Sequence, residues 1–129
     1  MARRRSIDVK GYAHQNPIPA GSLVGNLLAT GLITGRDPAT GNMPAPLAEQ
    51  IKNMFGHVQA IVEAAGGTMD DIVKINVFMQ DAAQRGALNE TWLKLFPDAS
   101  NRPARHTQQA ALAGGQLVQC DFLAVINAK

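Results

Sequence analysis

The sequence predicts an α+β domain in which two helices cover one face of a single mixed sheet. Three observations carry this expectation. Apolar residues between Leu47 and Ala65 recur at the three-four spacing of one helical face. Runs rich in β-formers lie between turn residues on both sides of that segment. The resulting order is strand, strand, helix, strand, helix, strand, strand, which lets both helices pack on the same side. The opposite face is left apolar, and other copies of the chain, closed into a ring, are its simplest cover.

Residues 14–26 contain Pro17, Pro19 and Gly21 and read as a loop leading into a hairpin. Leu23 to Ile33 supplies that hairpin, with Gly25-Asn26 as its turn. Asp37-Pro38 opens a second turn that Gly41 closes. Pro46 to Ala65 is the clearest helix. Leu47, Ala48, Ile51, Met54, Phe55 and Val58 begin its apolar face, and Gly66-Gly67 stops it. Lys52, Gln59 and Glu63 point to water, and His57 is expected on the solvent side.

Thr68 to Asp71 is a turn, and Ile72 to Met79 a strand with Val73, Ile75, Val77 and Met79 on one face. Asp81 caps a helix from Ala82 to Phe96 that buries Leu88, Trp92, Leu95 and Phe96, and Pro97 ends it. Arg105 to Leu112 and Leu117 to Asn127 are strands joined through Ala113-Gly114-Gly115.

The 129 residues suit one domain, 1–129, with residues 1–10 read as a frayed basic arm. The charged fraction of 17% is low enough to imply surface covered by another subunit. The net charge of +2 comes from Arg3, Arg4 and Arg5; without them nine basic residues face ten acidic ones. One cysteine, Cys120, excludes an internal disulfide and points to a reducing compartment. No apolar run approaches the ~20 residues that span a bilayer, and no apolar stretch follows the N-terminal charges. A cytoplasmic protein without membrane contact is expected.

Arg105 is the residue most suggestive of function. A guanidinium keeps its charge, and its planar fork matches a carboxylate. It sits in Arg102-Pro103-Ala104-Arg105-His106-Thr107. This stretch, with Gly25-Asn26-Leu27-Leu28-Ala29-Thr30-Gly31, the run from Ile61 to Lys74, and Leu88-Asn89-Glu90 with Phe96-Pro97, resembles the RidA family, also called YjgF or reactive intermediate deaminases. The likeness covers about residues 20–127.

The resemblance implies a chorismate-mutase-like fold and a homotrimer with a central β-barrel and pockets at subunit interfaces. It implies cofactor-independent hydrolysis, with no metal, of enamines and imines such as 2-aminoacrylate to a keto acid and ammonia. The family's carboxylate-binding arginine corresponds to Arg105.

Such hydrolysis needs a held carboxylate, a positioned water and a proton route. Asp121, which interrupts an apolar strand, is the candidate for the water, at a position where family members carry glutamate. A partner's backbone is the structural alternative for Asp121, and an ion pair is the alternative for Arg105. Thr107, two residues beyond Arg105, falls on the same side of a strand. Gly31 lets substrate approach backbone, unless it marks a bulge. Asn89 matches a pocket-lining asparagine of the family, with a polar position on the helix face as the equal alternative.

Tyr12 and His14 compete for the family's loop aromatic, and a neutral imidazole at His14 would shuttle a proton. His106 is assigned to the surface or an interface, Cys120 to buried filling, and Trp92 and Phe96 to the core or an interface rather than to a ligand platform. Leu32 and a longer proline-rich loop favour a larger enamine, aminomuconate-like. The rivals are a trimeric metabolite sensor without turnover and, more weakly, RNA cleavage. Nucleic acid is disfavoured because aromatic residues for base stacking are only 5%.

Overall fold

The computed structural model describes residues 3–12 and 16–127. The strands are β1 (Arg4–Ile7), β2 (Gly21–Val24), β3 (Leu27–Thr30), β4 (Ile33–Thr34), β5 (Ile72–Met79), β6 (Ala104–Gln109) and β7 (Val118–Val125). The helices are α1 (Leu47–Ala64) and α2 (Arg85–Leu95). One mixed sheet runs β1-β2-β3-β7-β5-β6, with β4 also on β7. Its pairs are antiparallel except β5 with β6, the two strands that α2 connects.

Both helices pack on the face that carries Ile75, Val77, Cys120 and Phe122, all essentially inaccessible. Ile51, Met54, Val58 and Ile61 of α1 complete this core. Pro46 stands at the N-cap just before the first helical turn. At the other end Gly66 adopts φ +91°, its N–H donates to the Glu63 carbonyl, and the Gly67 N–H donates to the Val62 carbonyl. This Schellman closure needs a left-handed residue, which glycine supplies without penalty.

Two positions on α1 differ from expectation. Ala48 is exposed, and His57 is buried at 4% exposure rather than facing water. The segment 32–36 returns along α1 and covers His57, whose Nε2 donates to the Arg36 carbonyl at 2.7 Å. Helical periodicity reports which residues share a face; it does not report a loop that covers the flank.

Gln50, also fully buried, ties three main-chain groups together. Its Nε2 donates to the Pro44 and Gly115 carbonyls, and its Oε1 accepts from the Leu117 N–H. Beside it Gly35 packs against the helix backbone, where an added Cβ would lie 2.3 Å from the Gln50 carbonyl oxygen.

The strand expected at Ile72–Met79 has those bounds. Its register shifts between Ile72 and Lys74, however, so Ile72 is buried and Val73 is 51% exposed. The bulge inserts one residue and reverses the alternation on its N-terminal side. Asp81 caps a short 3-10 turn over Ala82–Gln84, accepting from the Ala83 N–H, before α2 begins.

Residues 4–7, read as part of a frayed arm, instead form β1 on the outer edge of the sheet. Ile7 is buried at 4% exposure and anchors the strand that its arginines disguise. The face away from the helices exposes Leu27 (50%), Leu123 (43%) and Val125 (45%). Asn76, Gln119 and Asp121 interrupt this apolar surface.

Candidate active site

Arg105 pairs in register with Ile75, so its side chain leaves the sheet on the helix-covered face and meets α2. Asn89 and Trp92, three residues apart, lie on one side of that helix. The Arg105 Nη2 donates to Asn89 Oδ1 at 2.7 Å, and its Cζ lies 4.9 Å from the centroid of the Trp92 ring. The ring face stabilises the cation, and the amide oxygen fixes its fork. Trp92 itself is buried against Phe96 and Phe55, with ring centroids 4.8 and 6.4 Å apart. It is core, as expected, and it also supports the guanidinium.

The Arg105 Nη1 is buried and has no hydrogen-bond partner. Burial and then the neighbouring Arg85 lower the Arg105 pKa from its ordinary value. A guanidinium nevertheless keeps its charge, so an unanswered cation faces a groove of about 420 Å³ lined by Asn89, Trp92, Leu93, Arg102, Pro103 and Arg105. Thr107, in register with Val77, shares the Arg105 face; its hydroxyl is also buried without a partner.

Asp121 lies elsewhere. It pairs with Asn76, and the Asn76 Nδ2 donates to Asp121 Oδ1 at 2.8 Å on the face without helices. Gly31 lines a shallow cleft with Ile18, Pro19, Ser22, Ala29 and Thr30. Strand alternation puts Ser22 and Ala29 on the Asp121 side. The named groups therefore divide into a helix-side set (Arg105, Asn89, Thr107) and an open-face set (Asp121, Gly31).

Tyr12 joins neither set. It is 2% exposed, its hydroxyl donates to the Leu32 carbonyl and accepts from the Thr34 N–H, and its ring lies 4.6 Å from that of His57. The Arg36 guanidinium stands 5.0 Å from its centroid. His14 falls outside the described residues. His106 is exposed on the face opposite Arg105. Cys120 is fully buried, which pushes its thiol pKa up. Two participants escaped the sequence reading, Trp92 as a platform and Arg102 as a groove wall. The three-residue spacing of Asn89 and Trp92 was the signal available for the first.

A groove bordered by a fixed arginine, carried by an edge strand of this α+β sheet, sits on a known architecture. The endoribonuclease L-PSP family profile matches residues 12–126, and the chain belongs to this family, which includes the RidA and YjgF proteins. It is 35% identical over 96 residues to the 2-iminobutanoate/2-iminopropanoate deaminase of Escherichia coli K12, covering 74% of this chain and 75% of that one. It is 37% identical over 90 residues to a RutC family protein of Haemophilus influenzae, covering 68% and 69%. Among solved structures, the YjgF gene product of E. coli superposes with a TM-score of 0.86 at 31% identity, covering 94% of this chain and 98% of that one. RidA of the Antarctic bacterium Psychrobacter sp. PAMC 21119 gives 0.87 at 30%, covering 95% and 99%.

Proposed function

We propose that this chain is a deaminase that hydrolyses small carboxylate-bearing imines and enamines to a keto acid and ammonia. The observation that carries the reading is the Arg105 guanidinium, held by Asn89 and Trp92 with its Nη1 buried and unanswered. A substrate carboxylate supplies the missing acceptor. The names of the 35%-identical relatives support the reaction class.

In this reading the arginine fork orients the substrate and Asp121 positions water and passes protons. Water adds across the C=N carbon, the nitrogen takes up protons, and ammonia leaves as the C=O bond forms. Because Arg105 and Asp121 leave the sheet on opposite faces, one chain supplies Arg105, Asn89 and Thr107, and a neighbour supplies Asp121 and Gly31. The exposed Leu27, Leu123 and Val125 support that assembly as the apolar surface neighbours would cover, in a homotrimer. The unpaired buried Cys120 fits a cytoplasmic setting. Larger enamines, aminomuconate-like, remain within the proposal because the groove, about 420 Å³, leaves room for them.

Arg105→Ala tests it. The parent should consume enzymatically generated 2-aminoacrylate or a larger enamine, and the variant should lose that activity; equal rates would reject the assignment.

A further inference from the structure

We propose that Arg102 forms a second anion subsite in the Arg105 groove, so that the preferred substrates are imines of dicarboxylic acids. This inference rests on the deaminase reading and specifies its substrate class.

Two guanidinium side chains, Arg102 and Arg105, border a groove whose remaining walls are Asn89, Trp92, Leu93 and Pro103. No carboxylate is among those walls. Arg102 is fixed in place: its Nε donates to the Phe96 carbonyl at 2.8 Å and its Nη2 to the Pro97 carbonyl at 3.3 Å. Both acceptors are neutral main-chain groups, so they orient the cation without cancelling its charge.

Asp70 shares a separate small cavity with Arg102, and Asp98 feels Arg102 as the weakest of several effects. The Asp98 Oδ1 accepts from the Ser100 N–H and hydroxyl. Pro103 fixes one backbone dihedral of the short Arg102-Pro103-Ala104-Arg105 spacer. A third guanidinium, Arg85, adds to the local positive field, and its Nε is held by the Ala82 carbonyl at 3.1 Å.

Arg85 and Arg105 repel one another, Arg102 adds a further positive wall that Asp98 offsets only weakly, and a bound dianion relieves the excess positive charge. One carboxylate pairs with the Arg105 guanidinium, whose buried Nη1 lacks an acceptor. A second, on the substrate's carbon chain, meets Arg102, while Trp92 and Leu93 flank the carbons between. The chemistry is unchanged. The dicarboxylate iminium plus water gives the 2-oxo dicarboxylate plus ammonium, with the C=N bond replaced by C=O. A monocarboxylate imine offers Arg102 no second carboxylate, which is the basis of discrimination.

The experiment compares kcat/KM for 2-iminobutanedioate and 2-iminopropanoate, generated in situ from aspartate and alanine by amino-acid oxidases and followed by ammonia release. The parent should favour the dicarboxylate at least tenfold, and Arg102→Gln should lower that ratio at least tenfold. Arg102→Lys, which keeps the charge but loses the fork, should retain part of the preference. A parent without preference, or an Arg102→Gln change that scales both substrates alike, overturns the subsite. Arg105→Ala separates the two levels of inference. If it leaves both substrates untouched, the deaminase reading fails; if it abolishes both while the ratio tests fail, only the Arg102 inference is lost.

Discussion

Arg105 and Asp121 sit two strands apart, in register with the adjacent residues Ile75 and Asn76 of β5, and therefore point to opposite sides of the sheet. Arg105 meets α2, whereas Asp121 accepts from Asn76 on the open face. Under the proposed mechanism Asp121 acts on water and not on the substrate carboxylate. Asp121→Asn should therefore lower kcat by about 10²–10⁴, the range for loss of a general acid–base group, and change KM little. Steady-state kinetics with an in-situ imine give the answer, and a rise in KM at constant kcat would assign Asp121 to binding instead.

Leu123 tests the division of the site between chains. It is 43% exposed on the Asp121 face, two residues beyond Asp121 along β7 and in register with Ala29. Leu123→Arg should yield a folded monomer by light scattering and circular dichroism, with activity lost because the two half-sites no longer meet. A fully active monomer would show that one chain carries the whole site.

Asn89 and Trp92 hold Arg105 without offering a reacting atom. Asn89→Ala removes a hydrogen bond to a charged group, worth about 1.5–3 kcal/mol in typical cases, so KM should rise about tenfold or more. The KM rise should exceed any change in kcat, because the lost group orients the binding fork. A kcat loss at unchanged KM would contradict that role.

His57 gives a pH dependence of stability. Burial is the main cause that lowers its pKa from 6.5, partly opposed by its bond to the Arg36 carbonyl. The folded state thus holds the imidazole neutral, while the unfolded chain protonates it near the ordinary value. Between the folded pKa and 6.5 the unfolded state binds more protons, so stability falls as pH drops below 6.5. Melting temperature should decline from pH 7.5 to 5.5, and His57→Gln should flatten that decline. A slope identical in parent and variant would assign the effect to other groups.

Much of this arrangement was legible in the chain itself. The three-four spacing of α1, the β-rich run of β5 and the glycine turn between β2 and β3 are local signals, and their elements formed near the expected bounds. Asn89, Arg105 and Thr107 were each singled out, and the first two touch. What escaped depends on contacts distant in sequence. Alternation within β6 and β7 cannot say which faces coincide; only the pairing of both with β5 decides it. The bulge at Val73 inverts a pattern that looked continuous. Arg4 and Arg5 are exposed as expected, but they read as a frayed arm because β1 is marked mainly by Ile7, and His57 looked exposed because the covering segment comes from residues 32–36.

The outermost strand carries consecutive arginines where an approaching molecule would have to hydrogen-bond. Two copies meeting there would bring like charges together, so lateral growth of the sheet into fibrils is opposed by its own border. The guard is ionic and weakens as salt shortens the screening length from ~10 Å at 0.1 M to ~3 Å at 1 M. The exposed apolar face with Leu27, Leu123 and Val125 carries no such guard, so any contact made there meets no like-charge repulsion.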